Sequence, residues 1–214
     1  TEKNYRRNYE ILRQITFVFF CISCVVAVGL FSLITPFVRD IWLGPSYELG
    51  WGTAVLCIVV LMVKIMGLPL NMVMGVTGLF EKEKNVGASS AILNLVVSLA
   101  LVKPYGMTGV LLGTLVSYLL QICYRYIIFF RDFLQMREEA LRYARDLGEY
   151  LVVMAAEVAL MQKVVPIVYG NGGMVLFCIC FLLCILVPLA LDAVFFGRGW
   201  RLQSIVRMVR GMRR

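Results

Sequence analysis

Six stretches of the chain stay apolar over most of a bilayer's depth, and charged or glycine-rich segments separate them. A helix rises about 1.5 Å per residue, so roughly 20 apolar residues cross a hydrocarbon core of about 30 Å. The first stretch runs from Ile15 to Thr35, with Pro36 as its stop. The second, Trp51 to Gly78, carries Lys64 and Pro69 near its middle, and the third, Val86 to Val102, is short. The fourth runs from Gly109 to Phe130 and ends at Arg131. The fifth, Leu151 to Tyr169, and the sixth, Met174 to Phe196, are joined by Gly170, Asn171, Gly172 and Gly173, which suffices for a tight turn and little else. The pattern predicts an all-α fold, a polytopic membrane bundle of six transmembrane helices.

Charge gives that bundle a direction. Lys and Arg accumulate in cytoplasmic loops. Of the 21 basic residues, 17 fall on the side that holds both termini, only Arg39 and Lys103 fall on the other, and Lys64 and Lys163 lie within spans. Both termini are therefore expected in the cytoplasm. Trp42, Tyr47 and Trp51 cluster around the first outer loop, as aromatic side chains do at a membrane interface. Residues 131–149 form the one sizeable cytoplasmic connection, where Glu138 with Arg142, Arg142 with Asp146 and Arg145 with Glu149 are i,i+4 pairs that support a linker helix. The tail from Gly197 to Arg214 carries six arginines between Leu202, Ile205, Val206 and Val209, a pattern suited to anionic lipid. Nucleic acid is not an expected partner, because topology already explains this charge.

Composition excludes more than it selects. With 61% hydrophobic residues, 16% charged and a mean hydropathy of +0.84, the 214-residue chain is no water-soluble domain. It has no histidine, so histidine catalysis and ligation are excluded. Its seven cysteines all fall in apolar stretches, where they read as small hydrophobes with no disulfide framework and no zinc-ligand spacing. Phosphate loops and nucleophile elbows are missing as well. The reading therefore contains no catalytic residue, no metal site and no cofactor, and the chain is not expected to be an enzyme.

The informative residues are the polar ones inside spans, which turn toward other helices or a watery cavity. In the second span Lys64, Gly67, Asn71, Gly75 and Gly78 share one helical face. Ser90, Asn94 and Ser98 repeat every four residues in the third, and Thr114, Ser117, Gln121 and Arg125 line one face of the fourth. Gly109, Gly113 and Ser117 make a small-xxx-small row, most simply a helix-packing surface. Lys64 lies too deep to reach water comfortably. It either pairs with Glu157 of the fifth span or stands in a hydrated cavity that meets an anionic substrate. Pro69, five residues on, withholds a backbone donor and should bend the span beside it. Glu157 is a proton carrier or a static ion-pair partner, while Lys163 and Asp192 lie nearer span ends. The candidate substrate path is Lys64, Asn71, Asn94, Gln121 and Glu157.

Residues 67–119, GLPLNMVMGVTGLFEKEKNVGASSAILNLVVSLALVKPYGMTGVLLGTLVSYL, resemble the C-terminal half of bacterial polysaccharide flippases in the multidrug/oligosaccharidyl-lipid/polysaccharide exporter superfamily. The similarity rests on Gly78 to Phe80, Ile92 to Val102 and Tyr105 to Ser117, with Asn94, Leu95, Ser98, Gly106, Gly109, Gly113 and Thr114 at matching places. It is looser from Tyr9 to Leu61, and beyond Asp132 only the number of spans matches.

The resemblance implies one half of a two-lobed inner-membrane exporter that flips an undecaprenyl-pyrophosphate-linked oligosaccharide by alternating access, for cell-surface polysaccharide synthesis. On it, residues 1–130 are four spans of the C-terminal lobe, 131–149 the linker helix, 150–196 two additional spans and 197–214 the basic cytoplasmic tail. Beginning at Thr1, the chain reads as the C-terminal part of a longer protein whose N-terminal lobe is a missing partner. The bilayer, the lipid-linked glycan and glycosyltransferases or a polymerase complete the expected partners. Other readings are a drug or metabolite cation antiporter of the same superfamily and a non-transporting scaffold for glycosyltransferases.

Overall fold

A computed structural model describes residues 2–44, 50–135, 137–170 and 172–197, of which 2–4 and 80–83 by backbone alone. The described chain is helical, and six of its helices are long and apolar enough to cross a membrane. They are α1 (Glu2–Pro36), α2 (Trp51–Val76), α3 (Phe80–Tyr105), α4 (Met107–Ile127), α5 (Arg137–Tyr169) and α6 (Met174–Phe196). Tyr47 and the basic tail 198–214 lie outside the described residues, while Trp42 and Trp51 are exposed as expected of interfacial aromatics.

Three helix ends depart from the sequence pattern. Pro36 does not stop the first span, which continues as a π-helical segment, Phe37–Trp42. The wider π turn accommodates a residue that offers no N–H. The fourth span likewise runs on through a π-helical Ile128–Leu134 and stops where Gln135 adopts a left-handed conformation, φ 54°. The expected linker helix and fifth span are one continuous helix, α5, whose first turns carry the Arg142–Glu138 ion pair at 3.7 Å. Pro69 lies inside α2 without ending it. The tight turn before α6 forms as predicted, with Gly170, Gly172 and Gly173 all at positive φ.

The chain forms two compact units. The first holds residues 1–12 and 49–147, the second 13–48 and 148–214. The first span thus belongs mostly with the last two.

In the first unit α4 is the central helix, packed against both α2 and α3. Its buried residues are Gly109, Gly113 and Ser117, so the small-residue row is a packing surface. A Cβ at Gly109 would collide with the Leu101 carbonyl, and one at Gly113 with the hydroxyl and backbone nitrogen of Ser98. Ile92, Leu95, Val96 and Leu99 of α3 are exposed, which suits a lipid-facing side. Beyond α4, Phe129 and Phe130 are buried among Tyr126, Phe133 and Tyr143, and the Tyr126 hydroxyl donates to the Ala140 carbonyl at 2.6 Å.

The second unit is held at one end by aromatic packing of Phe17, Phe20, Tyr150 and Phe196, with Phe20 and Tyr150 stacked at 4.4 Å. Val28, Leu33, Met161, Val165, Cys180 and Cys184 form its apolar core. Toward the other end, Asp40 accepts from the Tyr169 hydroxyl at 2.8 Å and from Arg39 Nε at 2.7 Å, which ties the π-helical segment to the end of α5.

Gly109→Leu or Gly113→Leu is expected to destabilise the protein by about 1–3 kcal/mol, the usual cost of overpacking a close contact. Gly87→Ala, where a Cβ meets nothing within 4 Å, is expected to leave thermal unfolding in detergent unchanged. The contrast between the three melting curves checks the packing.

Candidate functional site

Lys64 lies three turns into α2 at a point where α2 and α4 touch closely. Gly67 makes that contact possible, since a Cβ there would stand only 3.0 Å from Ile122. Beside the contact is an open cleft of ≈ 120 Å³, lined by Val63, Lys64, Gly67, Leu68 and Asn71 from α2 and Tyr118, Gln121, Ile122 and Arg125 from α4. Three of the five path candidates, Lys64, Asn71 and Gln121, therefore converge on one concave surface.

The chemistry of that surface is cationic and amide-rich. Lys64 Nζ lies 5.9 Å from the centroid of the Tyr118 ring, within reach of a cation–π attraction. The lysine is exposed to the cleft and its surroundings, and no salt bridge is recorded for it among the described residues. Arg125 brings a second positive side chain. Gln121 also donates across to the Ser90 hydroxyl of α3, which holds its amide at the cleft. An arrangement with two cations, two amides and a phenol ring can receive a phosphate or carboxylate together with sugar hydroxyls.

No family model, curated protein or solved structure matches this chain. What it does therefore has to be argued from the site itself.

The other two candidates lie elsewhere. Asn94 is not part of the cleft lining, and its Oδ1 accepts from Ser98 at 3.0 Å on the packed α3–α4 face. Ser98 also reaches the Val110 carbonyl at 3.4 Å, so this part of the serine–asparagine row supports helix packing. Thr114 and Ser117 bond back to carbonyls of their own helix. Glu157 lies in the second unit and is buried, with Cys24 and Asp192 as its titratable neighbours. Asp192, expected near an interface, is only 3% exposed.

Tyr118 is the cleft residue that the sequence reading passed over. It stands three residues before Gln121 on the same face, so helical periodicity was able to find it. Arg125 was on that face as well, but its place at the span's end made it read as a topology signal.

These placements separate structural from functional polar residues. Ser98→Ala is expected to lower stability by about 0.6 kcal/mol, a typical worth for a hydrogen bond between membrane helices. Lys64→Met is expected to leave stability unchanged or raise it, because it removes a charge from an apolar span without breaking an ion pair. Reversible unfolding in mixed micelles measures both. A large loss for Lys64→Met would show that the lysine is structural.

Proposed function

We propose that the chain is part of a flippase that moves an undecaprenyl-pyrophosphate-linked oligosaccharide across the bacterial inner membrane by alternating access. The observation that carries this reading is the cationic cleft between α2 and α4. It is supported by the resemblance of residues 67–119, the stretch that supplies Gly67, Leu68, Asn71 and Tyr118 of the cleft. The count of basic residues supports cytoplasmic termini, so that the basic side faces the compartment where such a substrate is made.

In this reading no covalent bond changes. Lys64 and Arg125 attract the pyrophosphate, Asn71 and Gln121 hydrogen-bond to phosphate or sugar oxygens, and Tyr118 offers a ring face to a sugar. A cation about 4 Å from a phosphate charge gains roughly 4 kcal/mol at an effective dielectric of about 20, enough to offset part of the cost of moving the headgroup out of water. The small-residue row on α4 lets its neighbours stay close while the cleft changes shape. The N-terminal lobe of the longer protein supplies the opposing wall, and glycosyltransferases or a polymerase act before and after the transfer.

Surface glycan made by cells that depend on the full-length protein tests the reading. At equal expression, Lys64→Ala is expected to lower export at least tenfold, and Lys64→Arg to retain much of it. Unchanged export in Lys64→Ala would contradict the proposed role of the cleft.

A further inference from the structure

We propose that Cys24, Glu157 and Asp192 form a binding site for one divalent cation of the zinc class inside the second unit. The three ligand atoms come from α1, α5 and α6, and all lie within 4.8 Å of one another. Glu157 is 2% exposed and Asp192 is 3% exposed, and among the described residues no nitrogen or oxygen donor meets any of their four carboxylate oxygens, which have only the thiols of Cys24 and Cys21 beside them. The titratable groups that face them from the surrounding helices are Cys21, close to Asp192, and Cys24, close to Glu157, and no lysine or arginine is among these neighbours.

Two carboxylates buried side by side cannot both stay ionised without a countercharge. No lysine or arginine is among their neighbours in the described residues, so a cation from outside can supply it. A proton shared between the carboxylates neutralises them alone and leaves Cys24 a thiol beside Glu157. A borderline metal uses all three groups, because zinc accepts thiolate and carboxylate ligands at about 2.0–2.3 Å. Tetrahedral ligands at those lengths stand about 3.3–3.7 Å apart, so the site needs to contract by about 1 Å. On binding, each carboxylate gives one oxygen and Cys24 gives its sulfur, the thiol proton and the carboxyl proton of the metal-free site pass to solvent, and no electron is transferred. A fourth position stays open for water or another ligand.

The sequence reading dismissed zinc on cysteine spacing, and that spacing indeed carries no motif. The donors meet only through folding, on helices widely separated along the chain. The inference does not depend on what the first unit carries, since it concerns metal binding alone.

Cobalt(II), a spectroscopic stand-in for zinc, is the probe, titrated into the full chain in detergent micelles. The expected result is a thiolate-to-cobalt band that saturates at one equivalent and is bleached by added zinc. Cys24→Ser should remove the band, and Glu157→Gln and Asp192→Asn should each weaken binding at least tenfold. Replacing the exposed Cys57, Cys123 and Cys178 by serine should leave it unchanged. The proposal is overturned if the parent shows no saturable band, if the band survives Cys24→Ser, or if it disappears with the exposed cysteines. Circular dichroism checks that each variant is folded, and the parent and the exposed-cysteine variant decide the matter if the buried substitutions do not fold.

Discussion

In hydrocarbon an unpaired backbone N–H or C=O costs several kcal/mol, and this cost shapes the whole chain. Helices satisfy the groups internally, which is why the described chain is built from six long ones. The same rule explains its prolines. Pro36, Pro69, Pro104, Pro166 and Pro188 all lie inside helices, where in a water-soluble protein each would cost about 3 kcal/mol. A membrane helix that broke at proline would expose still more backbone to lipid, so the chain stays helical and adjusts locally, as in the π-helical segment after Pro36.

Once the backbone is satisfied, the polar side chains decide what each unit can do, and the two units treat charge in opposite ways. In the first, Lys64 lines an open cleft beside Arg125, so the lysine's charge is available to something that enters. In the second, Glu157 and Asp192 are shut away from solvent beside Cys24. A charge that is accessible can recognise a ligand and release it. A charge that is buried must be neutralised, and the partner that neutralises it is bound firmly or exchanged only when the unit opens. Glycine packing connects the first arrangement to the backbone: the contact of Gly67 with Ile122 brings α2 near α4, and the cleft lies beside it.

Hydrophobic runs made the number of spans legible in the sequence, and the start and end of the sixth match the structure residue for residue. The ends at Pro36, Phe130 and Leu151 were not legible, because proline and charge mark probable stops while a helix also continues wherever its backbone has no better partner. Helical periodicity placed Lys64, Asn71 and Gln121 together, since residues on one face of adjoining helices share a surface. It placed Asn94 in the same group, although Asn94 supports the α3–α4 contact. The partner of Glu157 was out of reach. Asp192 and Cys24 lie 35 and 133 residues away from it along the chain, and no local pattern encodes a meeting of three helices.

The central claim is that the first unit holds a hydrated, cationic cleft while the core of the second is dry. Deuterium modulation in pulsed electron spin resonance, with the chain in lipid nanodiscs and D2O, reads water directly at a spin label. Labels at positions 71 and 121 should show strong modulation, and labels at 161 and 165, in the apolar core of the second unit, should show almost none. Equal modulation at all four positions, or a dry signal at 71 and 121, would contradict the account.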